Sequence, residues 1–121
     1  FRDARVKQAY KDWVSFLLVR VNTVTGVRYA EDPTILAWEL LNEASCYGGD
    51  DIPTGSCDRT LVESWIAEMA AHVRSRDDRH LVAVGDMGRF GTRNDPVMGW
   101  PYRTTNEPDF DVIMRMRDID F

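Results

Sequence analysis

The feature of this sequence that most restricts its fold is a short apolar run, Ile35–Leu41, in which Glu39 is the one charged residue. A continuous apolar run is typical of a strand that is buried on both faces. Such strands belong to parallel sheets, whose two faces are covered by helices. The run therefore predicts a parallel β-strand with helices on either side of it in the sequence.

Helical patterns do flank this run. Residues 5–22 carry apolar side chains at spacings of three and four, and residues 61–73 repeat that pattern. Residues 80–84 form a second short apolar run, and residues 110–117 predict a further short helix. Alternating helices and strands imply β-α-β crossovers. We therefore expect an α/β fold with a parallel sheet.

Composition excludes two classes of partner. The net charge is -5 and the pI is about 4.9, whereas nucleic-acid binding needs clustered Lys and Arg. The apolar stretches are far shorter than the roughly 18 to 20 residues that cross a bilayer. We expect neither a nucleic-acid nor a membrane partner. We also expect no cofactor and no metal, because two cysteines without matching histidines do not make a zinc site.

Asn42 and Glu43 directly follow the first predicted strand. Functional groups of parallel sheets gather at the C-terminal ends of the strands. A carboxylic acid there, shielded by aromatic walls, can have a raised pKa and protonate a leaving oxygen. The alternative is a solvated surface carboxylate, because Glu is rarely fully buried. These two residues alone do not distinguish a catalytic acid from a surface carboxylate, so the other motifs of the chain must be considered.

The wider pattern is a series of motifs along most of the chain. They are Arg20–Thr23, Thr25-Gly26, Tyr29, Asp32–Ile35, Ala37–Leu40, Asn42-Glu43, His80–Val82, Val84–Asp86, Gly88 and Ile119–Phe121. Together they resemble glycoside hydrolase family 5, and within it the endo-β-1,4-mannanase branch. The resemblance implies that residues 1–121 are part of a (β/α)8 TIM barrel, from about the third helix to the start of the sixth strand. The lack of an initiator Met, and a C-terminus that looks like the opening of a strand, also lead us to expect a piece of a longer protein.

The resemblance further implies a retaining hydrolase of a β-linked polysaccharide, with β-mannan as the first choice. Glu43 would be the catalytic acid/base, and Asn42 would orient the sugar hydroxyl next to the bond that is cleaved. A retaining enzyme needs a second carboxylate about 5 to 5.5 Å away. Glu39 lies four strand residues earlier, roughly 13 Å along the backbone, and is expected instead to pair with a cation inside the barrel. In this family the nucleophile comes from the seventh strand, beyond Phe121, so the isolated fragment is expected to be inactive.

Two departures from the branch affect the choice of substrate. Ala44-Ser45-Cys46 replaces the usual Pro-Arg-Cys, and Met87 replaces the Glu of Gly-Asp-Glu-Gly-Phe. We expect the substrate to be bound by residues near the second strand and in the segment after it, namely Asp86, Arg89, Phe90 and Trp100, with core packing as the alternative for the two aromatic residues. The departures leave open a cellulase-like enzyme, an exo-β-glycosidase, or a carbohydrate-binding pseudoenzyme.

The two cysteines, Cys46 and Cys57, lie in the predicted active-site loop with ten residues between them. A disulfide at this spacing would contribute roughly 3 kcal/mol through loop entropy, and two reduced thiols are the alternative. We expect a secreted, extracellular enzyme that is monomeric at full length. Trp13 and Trp65 are expected in the core, and Trp38 is expected to pack outward against helices.

Overall fold

The computed structural model describes residues 1–46, 57–90 and 107–121. Helices and strands alternate along it, in the order that the sequence predicts. The elements are helix α1 (Ala4–Val19), a 3-10 helix (Tyr29–Glu31), strand β1 (Ala37–Asn42), helix α2 (Arg59–Arg74), strand β2 (Leu81–Gly85) and helix α3 (Phe110–Ile113). None of the helices in these residues is long and apolar enough to span a membrane.

Local hydrogen bonds fix where the helices begin and end. The carboxylate of Asp3 caps α1 by accepting the amides of Arg5 and Val6. The predicted helix from 5 to 22 is too long by three residues, because Arg20 is extended and Val21 forms an antiparallel bridge with Arg28. Helix α3 is also shorter than the predicted 110–117, since it ends at Ile113 and continues as turns.

Strands β1 and β2 are parallel neighbours, as predicted. Ala37 lies opposite Leu81, and Asn42 lies opposite Gly85 after an irregularity in the register. The C-terminal residues lie along the other edge of β2. There the Asp120 amide donates to the Val82 carbonyl at 2.8 Å, and Val84 donates to Phe121 at 3.1 Å. The chain therefore continues beside β2 where the sequence predicts the opening of a further strand.

The core lies between this sheet and one face of α2. Its buried side chains are Leu40, Val62, Trp65, Ile66, Met69, Ala70, Val73, Val82, Val84, Ile113 and Ile119, with Ala44. Burial of each large aliphatic side chain stabilises the fold by about 1.5 to 3 kcal/mol. Helix α2 thus packs against both strands from one side, which helps to fix their positions.

The three tryptophans within the described residues differ in their environments. Trp65 is buried in the core, as predicted, with the rings of Phe1 and Tyr10 edge-on at 5.4 and 5.0 Å. Trp38 is half-buried, and its indole N–H donates to Asp77 at 2.7 Å. The prediction for Trp13 is wrong, because its side chain is 59% exposed. It borders an open cleft between α1 and β1 that Trp38 and Leu40 also line.

Candidate active site

Glu43 occupies the first position after β1 and adopts an uncommon backbone conformation. Its φ is +49°, the one positive value at a non-glycine residue in the part of the chain that the structure describes. Such a conformation costs on the order of 1 to 3 kcal/mol and persists only where the surroundings hold it. Here the Glu43 amide donates to the Gly85 carbonyl at 2.5 Å. The turn leaves the Glu43 side chain exposed at the C-terminal edge of the sheet.

The ends of the two strands are brought together at Gly85. Asn42, which is exposed, lies opposite Gly85 in the parallel register. A Cβ atom at Gly85 would lie 2.7 Å from Oε1 of Glu39 and 3.1 Å from the carbonyl oxygen of Leu41. Both separations are shorter than an ordinary contact between such atoms. The close approach of β1 and β2 beside Asn42 and Glu43 therefore favours glycine at this position, since a larger residue would have to displace the Glu39 side chain and press on the Leu41 carbonyl.

The predicted pairing of Glu39 with a cation inside the barrel stays a prediction, because β2 is the one strand that flanks β1 among the described residues. No ion pair of Glu39 is found among residues 1–46, 57–90 and 107–121, and the Glu39 side chain is exposed to solvent. Instead its carboxylate lies over Gly85, toward the ends of the strands. The backbone of Glu39 pairs with Ala83, but its long side chain places the carboxylate beside Gly85, nearer the C-terminal ends of the strands.

Asp86 is the first residue after β2. Its Oδ2 atom accepts the Gly88 amide at 2.8 Å, and Gly88 has a φ of +69°, so the two residues form a tight turn. Burial raises the pKa of Asp86, and backbone hydrogen bonds and the Arg89 charge offset only part of that increase. The structure thus places a half-buried carboxyl next to Gly85, whose carbonyl holds Glu43. The predicted contact between Asp86 and substrate stays a prediction.

Arg89 and Phe90 both face the start of α3. The Nη2 atom of Arg89 lies 3.5 Å from Oε1 of Glu107, whose side chain is completely buried. The ring of Phe90 stacks edge-on against Phe110, with the centroids 5.5 Å apart. A substrate contact for either residue stays a prediction. Trp100, predicted to stack on a sugar, lies outside the described residues.

Cys46 and Cys57 are joined in a disulfide, with their Cα atoms 5.5 Å apart. Cys46 comes three residues after Glu43, and Cys57 precedes Asp58, the residue that caps α2 by accepting the Leu61 amide at 2.8 Å. The structure therefore shows a disulfide between these cysteines and not two reduced thiols. The bond ties the segment that follows Glu43 to the start of a buried helix.

Sequence patterns did not single out the charged residues behind the strand ends. Asp109 is fully buried and caps α3, while its amide donates to Glu63 Oε1 at 3.0 Å. Arg59 lies 3.7 Å from Glu63 and 3.8 Å from Asp109. An Asp ahead of an apolar run is a capping signal that would have found Asp109. Glu107 has no comparable local signature, because its partner is distant in sequence.

Chemically, the strand ends present the exposed carboxylate of Glu43 next in sequence to the amide of Asn42, with the carboxylates of Glu39 and Asp86 beside Gly85. Such a set can donate or accept a proton and bind hydroxyl groups. No cluster of three or more His, Cys, Asp or Glu side chains suited to a metal ion occurs in the described parts of the chain. The geometry accordingly fits acid–base chemistry on a polar substrate.

Comparison with known proteins gives a consistent set of relatives. A family model described as GH family 5 beta-mannosidase-like matches residues 1–113. Mannan endo-1,4-beta-mannosidase 7 of Arabidopsis thaliana is 40% identical over 100% of this chain and 26% of its own length. Putative mannan endo-1,4-beta-mannosidase 5 of Oryza sativa subsp. japonica is 42% identical over 98% of this chain and 22% of its own length.

Solved structures agree with the relatives. The endo-1,4-beta-mannanase from Rhizomucor miehei superposes with a TM-score of 0.87 at 38% identity, covering 99% of this chain and 33% of that one. The endo-1,4-beta-D-mannanase from Thermotoga petrophila RKU-1 gives 0.81 at 38% identity, with 99% and 33% covered. The chain spans 18% of the length of one rice relative and 28% of one Arabidopsis relative.

Proposed function

Because this chain belongs to the β-mannosidase-like group of glycoside hydrolase family 5, we propose that the full-length protein carrying it hydrolyses the β-1,4-linked backbone of mannan. The structural neighbours are TIM-barrel mannanases, and the chain forms a partial α/β unit of that fold. We further propose that it runs from the third helix to the start of the sixth strand. The parallel β1 and β2, with residues 120 and 121 hydrogen-bonded along β2, support that placement.

Glu43 is the acid/base in this proposal. The observation that carries it is the placement of Glu43 at the end of β1, exposed, with its amide held by the Gly85 carbonyl. Glu43 donates its proton to the glycosidic oxygen as the bond breaks, and it then takes a proton from the water that attacks the covalent intermediate. Asn42, beside it, donates a hydrogen bond to the neighbouring sugar hydroxyl and fixes the ring.

The nucleophile of this double displacement lies outside the 121 residues. Retention requires a carboxylate about 5 to 5.5 Å from the acid/base. Glu39 is four strand positions earlier, roughly 13 Å along the backbone, which is too far for this role. The isolated chain is therefore proposed to be inactive.

The test is hydrolysis of β-mannan and of carboxymethyl-cellulose by the full-length protein and by its Glu43→Gln variant. We expect cleavage of mannan, and a loss of about 100- to 10,000-fold in the variant, the range for a general acid–base group. Glu31→Gln is the matched control, because Glu31 lies in the 3-10 helix that precedes β1. Mannan cleavage that survives Glu43→Gln would show that another group is the acid/base.

Another β-glycan hydrolase is the second candidate, and the residues after Glu43 favour keeping it. Ala44 is buried, with 3% of its surface exposed, and Ser45 stands where the branch usually has Arg. The contact that this Arg makes to the leaving-group side of the glycan is therefore missing. Long products from mannan would support endo action. Release of single sugars, or cleavage of carboxymethyl-cellulose alone, would support the second candidate, and failure to cut either polymer would support a binding protein.

We also propose that the protein is secreted and acts outside the cell as a monomer. The Cys46–Cys57 disulfide supports secretion, because such bonds persist in oxidising compartments and are rare in the cytosol. Protein recovered from the culture medium of its source is expected to have no titratable thiol at these two positions. Reduced thiols, or retention inside the cell, would contradict the proposal.

A further inference from the structure

We propose that Arg89 is a positioning residue, whose ion pair with the buried Glu107 holds the end of β2, and through it Glu43, in the geometry that catalysis requires. This inference rests on the proposed role of Glu43 as acid/base. It assigns Arg89 a partner within the protein in place of the sugar contact that the sequence predicts. It also gives a role to Glu107, which no sequence pattern singled out.

Glu107 is a buried acidic residue that lies against Arg89. Its side chain is 0% exposed, and neither carboxylate oxygen has a hydrogen-bond partner among the described residues. The Arg89 guanidinium, 3.5 Å from Oε1, is the cation that lies against it. A buried charge that loses a neighbouring counter-charge strongly destabilises the local structure. Glu107 therefore holds Arg89 in place, and an Arg89 that turned toward a sugar would leave this carboxylate uncompensated.

The segment that carries Glu107 is itself anchored to α2 and to the residues after β2. The segment from Glu107 to Phe110 is fixed to α2, because the Asp109 amide donates to Glu63 at 3.0 Å. The Phe110 amide in turn donates to the Arg89 carbonyl at 2.7 Å, and the Phe90 and Phe110 rings are in contact. The segment after β2 is thus attached by an ion pair, a main-chain hydrogen bond and a ring contact to a segment that α2 keeps in place.

Arg89 is connected to the proposed acid/base, Glu43, through the end of β2. Arg89 directly follows the turn that Asp86 and Gly88 form at the end of β2. Asp86 directly follows Gly85, whose carbonyl accepts the amide of Glu43 at 2.5 Å. Because Glu43 is held in a conformation of high energy, a shift of Gly85 would let its backbone relax and its carboxyl move. The Arg89–Glu107 pair fixes the far end of that turn.

A double-mutant cycle on the full-length protein tests the inference, with Arg89→Met, Glu107→Met, the double variant and an Arg117→Met control, since the Arg117 side chain is 94% exposed. Each variant is assayed on β-mannan well below its unfolding midpoint. We expect each single variant to lower kcat about tenfold with little change in KM, and the double variant to recover most of that loss, because contacting residues couple strongly. Two apolar side chains can replace a buried ion pair without leaving a charge unpaired.

Other outcomes overturn the inference in distinguishable ways. A raised KM for Arg89→Met that persists in the double variant, with Glu107→Met unaffected, would make Arg89 a substrate-binding residue. Unchanged kcat in single variants that only melt earlier would make the pair merely structural. A wild-type protein that cuts no mannan would overturn the proposed function and this inference together, whereas the first two outcomes leave the proposed function intact.

Discussion

Among single residues, Glu43 and Gly85 depend on one another. The left-handed backbone of Glu43 is unfavourable for a residue with a side chain, and its amide hydrogen bond to Gly85 supports it. Gly85 can lie this close to β1 because it has no side chain of its own. A proposed catalytic group and an unreactive glycine therefore form one local unit.

Replacement of Gly85 by alanine tests that unit. The new methyl group would lie 2.7 Å from Oε1 of Glu39 and 3.1 Å from the Leu41 carbonyl oxygen. The carboxylate is the end of a flexible side chain and can move, but the carbonyl belongs to the backbone. We expect a loss of about 1 to 3 kcal/mol in the free energy of unfolding, typical of overpacking, together with reduced activity. Urea unfolding of the full-length variant measures the first effect.

The control separates the two contacts. In a Glu39→Ala background the carboxylate is gone, so Gly85→Ala should cost less than it does in the wild type, and the remainder reports the Leu41 contact. An alanine that is tolerated equally in both backgrounds, without loss of stability, would contradict the close approach of the two strands.

At the scale of secondary-structure elements, a buried histidine joins the start of β2 to the end of α2 and to the loop before β1. The Nδ1 atom of His80 lies 2.6 Å from the Asp77 carboxylate, and Nε2 lies 3.0 Å from the Asp32 carbonyl oxygen. Trp38 donates to the same carboxylate at 2.7 Å. Both ring nitrogens of His80 face acceptors, an arrangement that favours the doubly protonated imidazolium.

The stability of these elements should therefore depend on pH. Burial lowers the pKa of His80, but the Asp32 carbonyl and the Asp77 carboxylate outweigh burial, and the net shift is upward. A raised pKa in the folded state stabilises the protein fully below the unfolded value of about 6.5, and this contribution is lost as the pH rises through the folded value. We expect the stability difference between wild type and His80→Gln to shrink above about pH 6.5.

His72 serves as a control, because its pKa is shifted in the opposite direction to that of His80. Burial lowers the pKa of His72 and outweighs its hydrogen bond to the Lys11 carbonyl. Its contribution should be present above the unfolded pKa and be lost as the pH falls. Chemical denaturation of His80→Gln and His72→Gln across pH 5 to 9 measures the two trends. Parallel curves for His80→Gln and wild type would contradict a charged His80.

At the scale of the whole molecule, the described residues leave much apolar surface uncovered. Large hydrophobic residues on α1 and in the loops are exposed, namely Val6 63%, Trp13 59%, Phe16 51%, Val19 61%, Val24 91% and Leu36 72%. One edge of β1 is also unpaired among the described residues, since the two-stranded sheet has the order β1-β2. Uncovered apolar patches and open strand edges promote association.

We therefore expect the isolated 121-residue chain to be poorly soluble and to aggregate. Size-exclusion chromatography with a thermal melt measures this directly. Replacement of Trp13 and Phe16 by Gln should raise the soluble fraction, whereas the same change at the buried Trp65 should not, because Trp65 supports the core. A monomer of the unmodified chain with a cooperative melt would contradict the expectation.

The sequence by itself determined the elements, their order and the place of Asn42 and Glu43, because apolar periodicity reports how each segment is buried along its own length. The parallel pairing of β1 with β2 follows from the same pattern. The tertiary structure alone decided which neighbour each face meets. Trp13 has the spacing of a core residue but is 59% exposed beside an open cleft, and Val21 lies outside α1, in a backbone bridge with Arg28. The Arg89–Glu107 pair joins residues far apart in the chain, and a contact of that kind leaves no local pattern to read.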